Sequence, residues 1–209
     1  MIIVFLGASG TGKGTHAKII GKKMGINHFS MGDALREAAK EKNDLGKKID
    51  SYVKAGKLVP FEWTIKLFKK ALKSPKYKKG IVIDGFPRNM DQANSIDKIA
   101  TIDKLVVMEL SEKEIVKRLS GRWTCKECGE IYNIPNKIPK KEGLCDKCDG
   151  KLYQREDDKP AAIKQRFQFF EKEVMPVIKH YEKKGIVVKV SSKGSIEEVS
   201  KRVEKVVLN

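Results

Sequence analysis

The run Ile2-Ile3-Val4-Phe5-Leu6, followed at once by Gly7-Ala8-Ser9-Gly10-Thr11-Gly12-Lys13-Gly14-Thr15, constrains this chain of 209 residues more than any other feature. Apolar residues in succession, mostly β-branched and without polar alternation, describe a strand buried on both faces, as in a parallel sheet covered by helices. The glycines that follow permit backbone conformations that turn successive N–H groups inward. The helical pattern running on through Lys23 adds the positive end of its dipole. Such a loop cradles phosphate, and Lys13 is spaced to reach the β- and γ-phosphates of a nucleotide. The general phosphate-loop pattern has Ser or Thr directly after the Lys, where the hydroxyl holds Mg²⁺. Here that position is Gly14, and Thr15 comes one residue late.

Three further apolar runs repeat the strand character: Ile81-Val82-Ile83, Leu105-Val106-Val107-Met108 and Ile186-Val187-Val188. Amphipathic stretches over 111–120 and 160–184 lie between them, and Ile196, Val199, Val203 and Val206 mark a closing helix. Strands alternating with helices predict an α/β fold, a phosphate-loop NTPase-type parallel sheet with helices on both faces. Two segments break the rhythm. Residues 30–59 are helical in pattern with no core strand, and residues 122–158 carry all four cysteines with Pro135 and Pro139. The expected organisation is a core of 1–29, 60–121 and 159–209 with two rim insertions, 30–59 and 122–158.

The cysteines form two pairs, Cys125-Lys-Glu-Cys128 and Cys145-Asp-Lys-Cys148, separated by 16 residues. That is the spacing of a zinc ribbon, with Gly129 and Gly150 as turn residues, and four thiolates leave no open position for water. A structural Zn²⁺ is expected; iron, or redox pairing of the thiols, is the alternative. The opening residues carry no basic leader, and no run of about 18 apolar residues exists, so a cytoplasmic protein with no membrane partner is expected.

Charge raises a separate question. With 44 Lys+Arg against 27 Asp+Glu, the formal charge is +17. A basic chain with a zinc ribbon suits a nucleic-acid binder. Yet the excess is 37 Lys against only 7 Arg, which fits a solvated lysine surface equally well.

The motifs then converge. Gly-x-x-Gly-x-Gly-Lys-Gly-Thr resembles the phosphate loop of the nucleoside monophosphate kinases, adenylate kinases in particular. Ser30-Met31-Gly32-Asp33-Ala34-Leu35-Arg36 resembles their Thr-Gly-Asp-x-Leu-Arg element, and Gly56-Lys57-Leu58-Val59-Pro60 their Gly-x-Leu-Val-Pro element. Asp84-Gly85-Phe86-Pro87-Arg88 with Gln92, then Gly121-Arg122, Arg155-x-Asp157-Asp158 and Arg166, continue the match in order along the chain. The resemblance implies transfer of a phosphoryl group between ATP and AMP to give ADP, with Mg²⁺. It implies a helical monophosphate-binding segment over 30–59 and a mobile metal-bound lid over 122–158. ATP would meet Gly10, Thr11, Gly12, Lys13, Gly14, Thr15, Arg118, Arg122 and Gly194. Ile131 and Tyr132 would cover its adenine, or Tyr132 would fill the lid's small core. AMP would meet Met31, Arg36, Lys57, Leu58, Val59, Gly85, Arg88, Gln92, Arg155 and Arg166. Asp84 would orient Mg²⁺ through water, and Arg118, Arg122, Arg155 and Arg166 would converge on the transferring group.

This chemistry suits the residues. A phosphate acceptor is already ionised, so no general base is required, and catalysis is alignment and charge stabilisation by rigid guanidinium forks. His16, His28 and His180 are read as surface or core histidines. An amide such as Gln92 can pair with an adenine edge, whereas related pyrimidine (UMP/CMP) kinases typically have Asn there. Met31 replaces the family's Thr, and Phe61 replaces a commonly acidic residue. The expected protein is a monomer acting on ATP, AMP and ADP and not on nucleic acid. A UMP/CMP kinase and a basic zinc-ribbon nucleic-acid binder are its alternatives.

Overall fold

The structure, a computed structural model, describes residues 1–55, 57–134 and 137–208. Gly56 and Pro135, used in the sequence reading, lie outside the described residues. β1 (Ile2–Leu6) leads through the glycine loop into α1 (Lys13–Met24), which ends at Gly25 in the left-handed conformation, φ 67°. β2 (Asn27–Ser30) is followed by α2 (Met31–Ala39), capped by the Ser30 side chain, and α3 (Asp44–Lys54), capped by Asn43. α4 (Phe61–Lys73) returns to β3 (Ile81–Asp84), then α5 (Met90–Ile99), β4 (Lys104–Glu109) and α6 (Glu112–Ser120). β5 (Arg122–Cys125), β6 (Ile131–Asn133) and β7 (Leu152–Tyr153) make a small unit of their own. α7 (Pro160–Phe169) runs through a π-helical turn into α8 (Met175–Glu182), and β8 (Val187–Ser191) and α9 (Ile196–Leu208) close the fold.

The main sheet has the order β2-β3-β1-β4-β8, with every neighbouring pair parallel. Alternate residues of β1 serve opposite layers, as strand geometry requires. Ile3 and Phe5 pack with Ala17, Ile20, Val199 and Val203 of α1 and α9. Val4 and Leu6 pack with Phe68, Phe86, Ile96 and Tyr181 on the other face. Each such side chain contributes roughly 1.5–3 kcal/mol when fully buried, so the absence of polar alternation in β1 follows from two covered faces. Central β1 has neighbours reached by connections to either side, and the crevice beyond the carboxyl ends of the strands is where such sheets bind ligands.

Four core strands were expected, and the main sheet has five among the described residues. The addition, β2, has only Phe29 buried and pairs with β3 alone, so an edge strand left no apolar run to find. The stretch 160–184 contains a π turn over Phe170–Val174 in place of one regular helix. β5 lies between β6 and β7 in an antiparallel sheet, and its core is Cys125, Tyr132 and Cys145 with Trp123 and Leu152 around them. Among the described residues, no helix is long and apolar enough to cross a membrane.

Candidate active site

The loop after β1 is shaped by two requirements on its glycines. A Cβ on Gly7 would run into the Met108 carbonyl, and Gly12 caps α1 in the left-handed conformation, φ 87°, with no side-chain cap. The first N–H groups of α1 are therefore left for a ligand. Lys13 Nζ donates to the Ala8 carbonyl at 2.8 Å, and Thr11 Oγ1 donates to the same oxygen at 2.9 Å. Thr15 is half-buried in the first helical turn. Burial pushes the Lys13 ammonium down to about 7; Asp84 opposes this, while Arg88, Arg166 and Arg122 add repulsion.

Asp84, at the carboxyl end of β3, lies over Gly14, where a Cβ would meet its Oδ2 at 3.5 Å. The same Oδ2 is 2.6 Å from His28 Nε2. Sequence reasoning missed this contact, because His28 lies on the edge strand that itself went unseen. His16 and His180 fit the expectation. His16 is buried, 3.1 Å from Ser200 Oγ, and burial with Arg118 and Arg202 nearby lowers it to about 4. His180 pairs with Asp97 at the surface.

Arginines from separate elements gather beside Lys13. Arg88 is held by its Nε bond to the Gly85 carbonyl at 2.6 Å, after a cis Phe86–Pro87 peptide. Arg122 makes a two-pronged contact with Asp158, its Nε at 2.7 Å from Oδ2. Arg166 donates to Asp157 Oδ2 at 2.7 Å and to Asp158 Oδ1 at 3.3 Å. Arg155 is buried, with Nε donating to Thr124 Oγ1 at 3.0 Å. Arg36 pairs with Asp33. Burial, with repulsion among them, lowers Arg155 and Arg166 to about 10, so both stay cationic at neutral pH. Burial favours the neutral form of Asp157, yet Arg166, Arg122 and Arg155 hold its carboxyl below the usual range.

Arg118 stands apart from this group. Its guanidinium donates to the Ser192 carbonyl at 2.8 Å and faces His16. The structure does not bring it together with the other arginines, because α6 carries it toward the loop before α9. Arg202, the one arginine given no role, anchors that loop by donating to the Ser191 and Lys193 carbonyls, and Gly194 sits against it.

Two cavities meet at Lys57, Leu58, Gly85, Arg88 and Arg166. One, of about 550 Å³, is lined by Met31, Leu35, Arg36, Val59, Thr64 and Gln92. The other, of about 520 Å³, is lined by Gly7, Ala8, Ser9 and Lys13 with Phe169 and Phe170. Met31 is buried at the wall of the first. Phe61, half-buried, packs against the main core. α3 packs against the Glu156–Asp158 turn, which brings the 30–59 and 122–158 segments together over this region.

The four Sγ atoms of Cys125, Cys128, Cys145 and Cys148 lie within 4.8 Å of one another. A tetrahedral ion with Zn–S of about 2.3 Å needs sulfurs about 3.8 Å apart, so the set fits such an ion. Gly129 N donates to the Cys125 carbonyl at 3.2 Å, Asp149 N to the Cys145 carbonyl at 2.9 Å, and Lys147 N to Cys145 Sγ at 3.4 Å. In the second knuckle the left-handed residue is Asp149, φ 54°, and not Gly150. Gly150 is needed for space, since a Cβ there would lie 2.8 Å from Cys125 Sγ. Tyr132 is buried beside these cysteines, its hydroxyl taken by Asp146 N at 2.7 Å. It fills the core of this small sheet, and Ile131 beside it is half-buried.

The adenylate kinase family model matches residues 5–186. An adenylate kinase from Archaeoglobus fulgidus is 41% identical over 98% of this chain and 96% of its own length. Adenylate kinases from Caldicellulosiruptor saccharolyticus, at 40% over 98% of each chain, and Thermodesulfovibrio yellowstonii, at 43% over 95% of each, are similarly related. A match of that length takes in the glycine loop, the gathered arginines and the cysteine cluster alike, and this chain belongs to the adenylate kinase family.

Proposed function

We propose that this chain is a nucleoside monophosphate kinase that catalyses ATP + AMP ⇌ 2 ADP. The observation that carries the reading is the pair of cavities meeting at Arg88 and Arg166 beside Lys13. AMP occupies the cavity bounded by Met31, Arg36, Lys57, Leu58, Val59, Gly85 and Gln92. ATP lies along the glycine loop, Gly10 through Thr15, with its base toward Arg118 and Gly194. Its γ-phosphoryl group then faces the AMP phosphate between Arg88, Arg122, Arg155 and Arg166. An AMP phosphate oxygen forms the new P–O bond as the bond from γ-phosphorus to the bridging oxygen breaks, and ADP leaves from each side. No proton is removed from the nucleophile. Lys13 transfers its bond from the Ala8 carbonyl to phosphate, and the guanidinium groups neutralise charge on the equatorial oxygens. Mg²⁺ bound with ATP supplies further neutralisation of the phosphates. Asp84, steadied by His28, would orient its water.

The division expected from the sequence supports the same reading. The core holds ATP, residues 30–59 hold the monophosphate, and residues 122–158 close as a lid that excludes water. Zn²⁺ on the four cysteines stiffens that lid, which is too small to hold together by apolar burial alone. The protein works as a cytoplasmic monomer, with no nucleic-acid partner. A coupled assay with ATP and either AMP, UMP or CMP tests the assignment. AMP is expected to be the preferred acceptor, and turnover mainly with the pyrimidines overturns it.

A further inference from the structure

An amide reads a base only if its oxygen and nitrogen ends are fixed. Gln92 lies in the first turns of α5, 1% exposed, at the wall of the 550 Å³ cavity. The main-chain N–H of Arg88 donates to it at 2.7 Å. An N–H bonds only an acceptor, so that end is Oε1. The other end, Nε2, lies 3.4 Å from Thr64 Oγ1. Thr64 is 2% exposed, and its hydroxyl hydrogen is committed to the Phe61 carbonyl at 2.8 Å, so Oγ1 presents a lone pair to Gln92. The polarity is therefore set from both sides by main-chain groups, the Phe61 carbonyl acting through Thr64 and the Arg88 N–H acting directly. A flipped amide would set N–H against N–H at Arg88 and oxygen against oxygen at Thr64. Both bonds would be lost where unmet polar groups are costly.

Resting on the AMP reading above, we propose that Thr64 is a specificity-determining positioning residue, which with the Arg88 main chain locks Gln92 so that the pocket takes 6-aminopurine monophosphates and rejects 6-oxopurine ones. Oε1 retains a second lone pair for a 6-amino donor, and Nε2 a second hydrogen for a ring nitrogen. A 6-oxo base sets its own acceptor against Oε1, and only the forbidden flip could serve it. Selection then rests on polarity, since inosine and adenosine monophosphates are nearly the same size.

The test is kcat/KM with AMP and with IMP for the wild type and for Thr64→Val, Thr64→Ala and Thr64→Ser. The wild type is expected to favour AMP. Thr64→Val and Thr64→Ala, which remove the hydroxyl, are expected to lower the AMP:IMP ratio about five- to tenfold, the scale of one buried hydrogen bond. Thr64→Ser is expected to keep the wild-type ratio. A merely structural role lowers both substrates together and leaves the ratio alone. An unchanged ratio in folded Thr64→Val and Thr64→Ala, or a Ser variant that behaves like Val, overturns the lock. So does a wild type that uses IMP as well as AMP, although the AMP reading then survives. A wild type with no AMP turnover removes that reading itself.

Discussion

The nucleotide cleft and the cysteine lid both concentrate one kind of chemistry, but they use opposite strategies to hold it. In the lid, four soft donors come from residues 125–148 and are brought within 4.8 Å by two local knuckles. In the cleft, Lys13, Arg88, Arg122, Arg155 and Arg166 come from distant parts of the chain, and the fold alone makes them neighbours. The lid collects ligands for a cation, the cleft a surplus of cations for polyphosphate. Their side chains differ for an electrostatic reason. The surroundings that press Lys13 to about 7 press Arg155 and Arg166 only to about 10. A cleft built on lysine would lose much of its charge near neutral pH, and one built on arginine keeps it. Six of the seven arginines lie at positions the family motifs assign to nucleotide binding, and the 37 lysines mostly coat the surface. Pairs such as Lys40–Glu37, Lys54–Asp50 and Lys201–Glu197 are exposed helix contacts, a type that contributes little to stability.

The sharpest way to break this contrast is Arg88→Lys. The substitution removes the planar fork and leaves a single ammonium in a buried site that already lowers the Arg88 guanidinium. The expected loss in kcat is roughly 10²–10³-fold, on the scale of deleting a preorganised donor to developing charge. In kcat/KM, which reports the free enzyme, the deficit should deepen from pH 6.5 to pH 8.5, because burial favours the neutral form of the new ammonium. Steady-state rates across that interval, with circular dichroism to confirm folding, decide the matter. Near-normal turnover would dissolve the distinction between the two cations.

The lid offers the converse experiment. Protein purified without chelator is expected to carry one zinc per chain by elemental analysis. Cys128→Ser should lower both metal content and the melting temperature, the latter on the order of 10 °C. If the metal-free protein melts where the wild type does, the lid stands on its apolar core of Tyr132, Trp123 and Leu152 alone.

What could be read in advance follows the same division. The lid cysteines and the glycine loop are contiguous spacings with local chemistry, so the pattern alone identified them. The arginines are individually indistinguishable from surface ion pairs, and only their order along a family pattern linked them. β2 and with it the His28–Asp84 contact left no signal, because an edge strand needs a single buried residue, Phe29. The positions of Arg118 and Tyr132 depend on where α6 and the lid core point their side chains, which spacing does not encode. The same holds for the Thr64–Gln92–Arg88 relay, which joins α4 to the turn before α5 across the core.

The smallest expected effect, and the most specific to the cleft, is a proton. Burial and the neighbouring arginines hold Lys13 at about 7 in the free protein. A polyphosphate placed against its ammonium favours the charged form, so the bound-state pKa lies above the free one. Binding must then take up protons at any pH between those two values. Affinity from this source is complete below about pH 7 and declines as pH rises through the window. At pH 8.5 the nucleotide phosphates are already ionised, so uptake approaching about one proton per site belongs to the protein. Calorimetric titration with ADP in Bicine and in Tris, whose ionisation enthalpies differ, measures it. The same titration on Lys13→Met, which has no ammonium to restore, supplies the control. Uptake near zero at pH 8.5 in the wild type, together with a large loss of ADP affinity in Lys13→Met, would mean that Lys13 is already fully charged in the empty cleft. The electrostatic argument for arginine over lysine would then fail at the residue on which it was built.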